Sequence, residues 1–380
     1  MRSSWTVWRS RCRFTGRIDM NKIRYETGKI DKTAYIGDFV EIDARHIEVG
    51  RNARIGADEG DQVDTNVKTL IKGDRIVIGE GSVIQKGVVI NCKGFTLGKD
   101  SIIKARSVIR SVDITLGEDA KINEFSIMEG RKISIGKHLW FGPRATIGGG
   151  SCFEVQSSME AGDYCHFGEY SFVNTARPVK IGNEVGLGIR TCIFTHGAYL
   201  SALDGFPAKF APVSIGDRCW IPNAIINPGV NIGSDCVISV GSIVSRNIPP
   251  SSLAHGNPIK IIANSYPRKL KEPEREKFIT EFLENFGTIC SDKHLVKIDG
   301  KKLTIDGNIL VAFENSELEM QKYAKEHRRC IIISQRPGDI KSKTATLIDL
   351  ENLLIDGPSD EVSERLVNQF RRYGIRLERK

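Results

Sequence analysis

The feature that most constrains the fold of this chain is a repeat in which an apolar residue returns every six residues. The dipeptide Ile/Leu-Gly recurs at a spacing of 19 residues, starting at positions 78, 97, 116 and 135. Inside each unit the apolar positions follow intervals of 6, 6 and 7, as in the series Ile78, Ile84, Ile90 and Leu97. Neither the helical period nor the alternation of a simple β-strand produces an interval of six.

The same rhythm continues well beyond these four units. Weaker copies begin at Ile36-Gly37 and Ile55-Gly56. The later apolar positions are Ala161, Phe167, Val173, Ile181, Leu187, Ile193, Ile215, Ile221, Ile226, Ile232, Ile238 and Val244. An interval of six suits a short strand followed by a tight corner, so that three strands close one triangular coil of about 18 residues. We predict a solenoid in which each coil buries its apolar residues against the next.

The end of the repeat region carries a more specific pattern. Its matching stretches are Ile215-Gly216-Asp217-Arg218-Cys219-Trp220-Ile221, Asn227-Pro228-Gly229-Val230-Asn231-Ile232-Gly233 and Gly256-Asn257-Pro258-Ile259-Lys260. This pattern resembles the coenzyme-A-binding end of sugar and xenobiotic O-acetyltransferases in the hexapeptide-repeat acyltransferase family. The resemblance implies a left-handed parallel β-helix, acetyl-CoA as donor, and a homotrimer with its sites between subunits. One departure is Trp220-Ile221-Pro222, where the family usually has Trp-Ile-Gly, and the following interval to Ile226 is five.

The candidate catalytic base lies where the repeat is interrupted most widely. Ile193 and Ile215 are 22 residues apart, and a solenoid accepts such an insertion only at a corner. His196 stands at the root of this loop. Transfer of an acyl group from a thioester to a hydroxyl needs a group that takes the acceptor proton, and neutral imidazole suits that role. The resemblance assigns the base to the same position, so we predict that His196 is the general base.

Other residues complete the predicted site. Tyr199 and Asp204 in the loop are candidates for binding the substrate. Asp204 and Glu169 are alternatives for orienting His196, since a base needs such a partner. Each of these acids is equally compatible with a solvated surface position.

The donor site is predicted from the residues near the last repeats. Small side chains at Ala224 and Gly241 allow a pantetheine arm to approach the backbone. Trp220 offers a flat apolar face to the arm or the acceptor, or else packs at a corner. Arg246 and Lys260 are cations for the phosphates of the donor, and Asn257 belongs to the matched segment around Lys260.

Two further motifs have alternative interpretations. His166 lies just before an inward position, where a structural role is favoured over a place in the groove. A metal site of the γ-type carbonic anhydrase kind requires three converging histidines, but positions 138, 166 and 196 give no H-x4-H pair. We therefore predict no metal. The Gly-rich segment 147–151 lacks the Gly-Lys-Ser/Thr ending of a phosphate loop and is interpreted as a corner or irregular coil.

The chain divides into four predicted segments. Residues 1–20 form a basic, disordered tail, which is either a targeting segment or a stretch upstream of a start at Met20. Residues 21–263 form the β-helix, 264–290 a linker helix, and 291–380 a small α/β domain of unknown role. This domain has predicted strands at 295–298, 303–305, 309–313, 330–333 and 345–350, and predicted helices at 317–327 and 359–373. The predicted fold class is therefore mainly β, a left-handed parallel β-helix followed by a small C-terminal α/β domain.

The amino-acid composition indicates in which compartment the protein resides and which classes of partner it is expected to lack. The nine cysteines include no C-x-x-C pair, which favours reduced thiols in the cytoplasm over a disulfide or zinc framework. No apolar run reaches the length of a membrane span. The net charge is +8, but residues 1–19 contribute half of it through five arginines and one acid, so the charge does not indicate a nucleic-acid partner.

These observations favour an acetyl-CoA-dependent O-acetyltransferase acting on a sugar or saccharide precursor. An N-acyltransferase acting on an amino sugar is the nearest alternative, since it shares the mechanism. A carbonic-anhydrase-like metalloenzyme and a non-enzymatic scaffold are the remaining alternatives on this fold.

Overall fold

The computed structural model describes residues 6–7, 21–57, 67–335 and 343–380. The chain forms two compact units, Met1–Arg268 and Lys269–Lys380. Within the predicted tail, Thr6–Val7 forms a short strand that pairs antiparallel with Lys22–Ile30, and the other residues up to 20 lie outside the described part of the chain. No helix among the described residues combines the length and apolar character needed to cross a bilayer.

The first unit is a left-handed parallel β-helix with three sides, as predicted. Side 1 is a 12-stranded sheet whose strands are Tyr35–Ile36, Arg54–Ala57, Val83–Gln85, Ile102–Ile103, Lys121–Ile122, Trp140–Phe141, His166–Phe167, Gly186–Leu187, Trp220–Ile221, Val237–Ile238, Leu253–His255 and Lys260–Ala263. All these strands pair in parallel except the last, which returns antiparallel to Leu253–His255.

Sides 2 and 3 belong to one 16-stranded sheet. In the earlier coils, single long strands run along both sides: Lys22–Ile30, Val40–Val49, Thr69–Ile78, Val89–Leu97, Val108–Leu116 and Ile127–Ile135. Later coils have separate strands, which on side 2 are Thr146–Gly148, Phe172–Asn174, Cys192–Ile193, Ala224–Ile226 and Ser242–Val244. Those on side 3 are Met159–Ala161, Val179–Ile181, Val213–Ile215 and Asn231–Ile232. We name the corners of the coil by the sides that they join: corner 1/2, corner 2/3 and corner 3/1.

The predicted repeat positions form the core of this unit. On side 1 the register places Ile103 beside Ile122, Ile122 beside Phe141, and Phe141 beside Phe167. The rings of Phe141 and Phe167 are 5.5 Å apart, and both side chains are buried. Removal of these stacked apolar columns from water is the main contribution that holds successive coils together.

The second unit is a mixed seven-stranded sheet with three helices. Its strands, in spatial order, are Val296–Asp299, Lys302–Ile305, Ile309–Phe313, Arg329–Ser334, Ala345–Asp349, Leu354–Asp356 and Glu378–Arg379. The helices are α1 (Glu272–Cys290), α2 (Glu317–Glu326) and α3 (Glu361–Arg372). The strands Leu354–Asp356 and Glu378–Arg379 are not predicted from the sequence, because they are too short to show a pattern.

The segment predicted as a linker helix is α1, and it packs within the second unit. Phe282 of α1 stacks on Phe370 of α3, with ring centroids 4.2 Å apart. These helices share a core cluster with sheet residues such as Ile331 and Ile348. Met320 and Tyr323 of α2 belong to a separate cluster with Cys330 and Ile332. The sheet therefore buries apolar side chains on both of its faces.

Loss of a core aromatic ring tests the stacked columns. We expect Phe167→Ala to destabilise the protein by about 3–5 kcal/mol, because the cavity left between Phe141 and Leu187 cannot collapse fully. Phe153→Ala is the matched control, since that ring is 49% exposed. Thermal unfolding followed by circular dichroism measures both variants. Equal losses of Tm in the two variants would contradict the assignment of Phe167 to the core.

Candidate active site

Two insertions leave the β-helix at the same corner. The first, residues 149–158, follows the side-2 strand Thr146–Gly148, and the second, residues 194–212, follows the side-2 strand Cys192–Ile193. The register pairs Ile147 with Val173 and Val173 with Ile193, so the two insertions emerge from corner 2/3 two coils apart. The segment 174–178 lies at this corner between them. Corner 2/3 therefore collects three irregular segments.

His196 is held at this corner by a short hairpin. His196–Gly197 pairs antiparallel with Lys209–Phe210, which places His196 opposite Phe210. The two rings stack with centroids 5.5 Å apart and planes 17° apart. The half-buried imidazole also contacts Asn174, with 2.8 Å between His196 Nδ1 and Asn174 Oδ1. Stacking on Phe210 and the contact of Nδ1 with Asn174 together fix the orientation of the imidazole.

The hydrogen bonds of Asn174 determine which nitrogen of His196 carries the proton. Asn174 Nδ2 donates to the carbonyl oxygens of Gly148 and Gly150, each at 3.2 Å, which fixes the orientation of the amide. Asn174 Oδ1 therefore faces His196 and also accepts from Thr195 Oγ1 at 2.6 Å. A carbonyl oxygen can only accept, so His196 Nδ1 is the donor. In the neutral ring the lone pair then lies on Nε2, as a general base requires.

The Gly-rich segment lies beside Nε2 of His196. A Cβ placed on Gly150 would lie 3.7 Å from His196 Nε2, so the glycine leaves room beside the imidazole. The preceding Gly148 and Gly149 have φ values of +137° and +88°, which side chains rarely allow. The segment is a corner loop, as the sequence indicates, but its place beside His196 is not anticipated there.

The first insertion also carries a charged side chain near His196, which is Glu154. Glu154 Oε2 lies 3.2 Å from Arg177 Nη1, and the Arg177 guanidinium lies 4.7 Å from the centroid of Phe210. The pKa of Glu154 is below its ordinary value because Ser151 donates a hydrogen bond to it and because Arg177 and His196 attract its negative charge. Glu154 thus places a negative charge near His196.

The predicted loop residues stand apart from this network. Tyr199 is 98% exposed, and Asp204 lies exposed in the short 3-10 turn Ala202–Asp204. Glu169 lies at corner 1/2, on another edge of the coil. Neither acid that the sequence analysis considers for orienting His196 takes that role, because Asn174 does. The sequence does contain a signal for Asn174. Both interruptions of the repeat follow the third apolar position of a unit, and Asn174 follows that same position in the unit between them.

The two predicted phosphate-binding cations lie near each other. Arg246 follows the side-2 strand Ser242–Val244 and so stands at corner 2/3, two coils beyond His196, or about 10 Å along the β-helix. Arg246 Nη2 donates to the carbonyl oxygen of Ile259 at 3.0 Å. Lys260 follows Ile259 directly and is the first residue of the last strand of side 1. Asn257 lies three residues before Lys260.

The other predicted donor residues lie elsewhere on the coil. Trp220 is 46% exposed on the outside of side 1, and a Cβ on Gly186 would lie only 2.4 Å from its indole. Gly241 lies at corner 1/2 with φ +75° and open space where a Cβ would stand. Ala224 requires a correction, because its side chain is 2% exposed and packs in the core rather than beside a groove.

One chain does not bring all these residues together. In a three-sided coil, side 1 is opposite corner 2/3, so Trp220 and His196 lie on opposite parts of adjacent coils. The remaining histidines of interest are also separated. His138 lies at corner 3/1 with Asp119 and Tyr164, and His166 lies on side 1 stacked on Trp140. Among the described residues, no group of three or more His, Cys, Asp or Glu is arranged to hold a metal ion.

Comparison with known proteins agrees with this architecture. Residues 212–246 match the family model described as the hexapeptide repeat of succinyl-transferase. This part of the β-helix is therefore similar to the hexapeptide repeats of that acyltransferase family. A Schizosaccharomyces pombe protein named as an acetyltransferase is 35% identical over 118 residues, which are 29% of this chain and 57% of that protein. This chain thus spans little more than half of that relative.

Two other proteins are similar to parts of this chain. Galactoside O-acetyltransferase of Escherichia coli is 26% identical over 147 residues, which cover 36% of this chain and 70% of that enzyme. A hexapeptide-repeat acetyltransferase of Vibrio cholerae, solved as a complex with acetyl coenzyme A, is 25% identical with a TM-score of 0.30. The match covers 34% of this chain and 69% of the Vibrio chain.

The tautomer of His196 can be measured without reference to activity. We expect neutral His196 to carry its proton on Nδ1, and Asn174→Ala to redistribute that proton between the two nitrogens, because the acceptor is removed. Long-range 1H–15N spectra of histidine-labelled protein report this, with assignment from a His196→Ala sample. Asn123→Ala, which removes a buried amide at corner 1/2, is the control. A proton on Nε2 in the parent protein would contradict the network.

Proposed function

We propose that this protein is an acetyl-CoA-dependent O-acetyltransferase that acts on a saccharide hydroxyl, with His196 as its general base. The observation that carries the proposal is an imidazole with its Nδ1 proton held by Asn174 and its Nε2 lone pair facing the Gly150 side of a corner loop. This base lies on a hexapeptide β-helix whose relatives include a galactoside O-acetyltransferase.

The chemistry follows from this arrangement. His196 Nε2 takes the proton of the acceptor hydroxyl while its oxygen attacks the thioester carbonyl. The new C–O bond forms, the C–S bond breaks, and the imidazolium returns the proton to the departing thiolate, which leaves as coenzyme A. Asn174 holds the ring in the tautomer that can act, and ionised Glu154 stabilises the imidazolium that forms in between.

The donor site uses residues from two edges of the coil. Arg246 and Lys260 hold the phosphates of coenzyme A, with Asn257 in the adjoining segment. Trp220 and the open backbone at Gly241 border the pantetheine arm, while Tyr199 and Asp204 of the projecting loop contact the acceptor. Support comes from the contact of Arg246 with the residue before Lys260, and from the space beside Gly241.

The separation of these edges supports a homotrimer. His196 lies at corner 2/3, and Trp220 lies on the opposite side 1 of the same chain. A complete site therefore needs His196 from one subunit and Trp220 with Gly241 from a neighbour. A closed three-fold ring supplies three equivalent sites of this kind.

The cysteines support a cytoplasmic location. None of the eight cysteines in the described residues forms a disulfide, and most of them are buried. Proteins of oxidising compartments more often pair their cysteines in disulfides.

Replacement of the base tests the catalytic assignment. We expect His196→Gln to lower the rate of acetyl transfer by about 10²–10⁴-fold, since the proton acceptor is lost. Calorimetric titration with acetyl-CoA should give a Kd close to that of the parent protein. His166→Gln is the control, because this exposed imidazole lies on side 1. A turnover in His196→Gln similar to that of the control would remove His196 as the base.

Mixing of two inactive variants tests the shared site. His196→Ala and Trp220→Ala each damage a different edge, so random exchange of their subunits should restore roughly a quarter of the parental sites. Acetyl transfer is measured after co-refolding of equal amounts. The control is the His196→Ala/Trp220→Ala double variant co-refolded with each single variant, which gives no complete site. Absence of any recovered activity in the first mixture would place both residues in one subunit's site.

A further inference from the structure

An outward-facing column of arginine and aromatic side chains follows corner 1/2. At equivalent positions of five successive coils this corner carries Arg106, Phe125, Arg144, Tyr170 and Arg190, which we call the arginine–aromatic ladder. Guanidinium groups and rings alternate along it, and all five side chains are exposed. The centroid of Phe125 lies 5.7 Å from the guanidinium of Arg106 and 5.0 Å from that of Arg144. The centroid of Tyr170 lies 5.7 Å from the guanidinium of Arg144 and 5.8 Å from that of Arg190.

The backbone does not account for these residue types. All five positions have φ between +56° and +60°, a region that bulky side chains rarely adopt. Glycine occupies the same corner on either side of the ladder, at Gly87 and Gly241. Corner 3/1 of the same β-helix has this conformation with varied residue types, among them Asp119, His138 and Glu184, so the alternation of arginine and aromatic residues is particular to corner 1/2.

The guanidinium groups of the ladder retain their hydrogen-bonding edges. Each guanidinium carbon lies within 6 Å of the centroid of Phe125 or Tyr170, and the three arginine side chains are exposed, so a ligand can reach them from solvent. In the described part of the chain, no carboxylate forms an ion pair with Arg106, Arg144 or Arg190. Other arginines of this unit are paired, such as Arg110 with Glu129 at 2.8 Å.

The acids near the ladder leave it with an excess of positive charge. Glu124 stands beside Phe125 but pairs with Lys104 at 3.1 Å. Glu169 stands beside Tyr170 and is the second acid at this corner. The three arginines therefore form a row of cations whose donors suit carboxylates, which guanidinium groups bind in a bidentate manner.

The spacing of the row selects among anionic polymers. Successive coils are about 4.8 Å apart, so neighbouring arginines of the ladder are about 10 Å apart. One pyranose residue of an extended glycan advances by about the length of one coil, so alternate sugars fall beside successive arginines. Nucleic-acid phosphates are more closely spaced, and unpaired bases need open aromatic faces. Phe125 and Tyr170 each have guanidinium groups of two arginines against them.

The ladder leads toward the predicted donor groove. Asn223 Nδ2 donates to the carbonyl oxygen of Ile189, the residue before Arg190, at 2.9 Å. The backbone N–H of Gly241 in turn donates to the carbonyl oxygen of Asn223 at 2.8 Å. Corner 1/2 is thus continuous from the last arginine to the open backbone at Gly241, and a chain lying on the ladder has one end directed at the donor.

We propose that the arginine–aromatic ladder binds a linear acidic glycan with a carboxylate on alternate sugar residues, and that this glycan is the acceptor. The binding step stands on the ladder alone. Its role as acceptor rests on the proposed acetyl transfer. Carboxylates of alternate sugars pair with Arg106, Arg144 and Arg190, and intervening sugars lie over the edges of Phe125 and Tyr170.

Calorimetric titration of the full chain tests the binding step. The probe is a hyaluronan hexasaccharide, in which glucuronate alternates with a neutral sugar, and chitohexaose is the neutral control of equal length. We expect binding of the acidic hexasaccharide only, weakened by added salt. Arg144→Gln, at the centre of the ladder, should raise the Kd at least about tenfold, because a bidentate charged contact is lost. Arg110→Gln, on side 2, is the matched variant with no expected effect.

Three results would overturn the binding proposal. One is equal affinity for the acidic and neutral hexasaccharides, and another is equal Kd values for Arg144→Gln and Arg110→Gln. The third is binding of single-stranded oligothymidine as tight as that of the acidic glycan, with the same loss in Arg144→Gln.

A separate measurement distinguishes the ladder from the proposed function. Acetyl-CoA and either hexasaccharide are incubated with the parent protein, and the products are analysed by mass spectrometry. Acetylation of the acidic chain, reduced in Arg144→Gln, supports both proposals. Acidic glycan binding without acetylation, while a neutral galactoside is acetylated, keeps the ladder as a binding surface and removes the acidic glycan as acceptor. Binding of the acidic hexasaccharide without acetyl transfer to any acceptor contradicts the proposed function but supports the ladder as a binding surface.

Discussion

In-register parallel pairing of successive coils is the constraint on which the rest of this structure depends. A residue in one coil lies directly beside its equivalent in the next, as Ile122 lies beside Phe141 and Phe141 beside Phe167. Any residue type that recurs with the repeat therefore becomes a continuous column. Pointing inward, such a column is the hydrophobic core. Pointing outward, it is the arginine–aromatic ladder, whose side chains touch only because the coils are stacked in register.

The same constraint explains where chemistry can develop. Regular coils bury their inward residues and expose short outward strands, whereas an insertion can project beyond the coil. The two insertions break the repeat after equivalent strands and so emerge at one corner. Because they share this corner, Gly148 and Gly150 at the start of the first insertion supply the carbonyls that orient Asn174, and the second insertion supplies the imidazole that Asn174 holds. The site is a product of coil register as much as of residue identity.

The sequence predicted the parts of the structure that depend on periodicity. The β-helix, the inward residues and the position of the loop bearing His196 all follow from intervals of six, and the α/β character of the second unit follows from its apolar runs. Ala224 was misplaced because the shortened interval before Ile226 obscures which residue points inward. Asn174 was missed because its role depends on contacts between residues more than 20 positions apart, across separate coils.

The choice of an amide at position 174 follows from what surrounds it. Gly148 and Gly150 present carbonyl oxygens that need donors, while His196 Nδ1 needs an acceptor. A carboxylate would satisfy the imidazole and repel both carbonyls, and an alcohol has too few donors, so an amide meets all three requirements. Asn174 thus fixes the proton without adding charge. A negative charge is present separately at Glu154, so the first insertion supplies both a carbonyl that orients Asn174 and a carboxylate near His196.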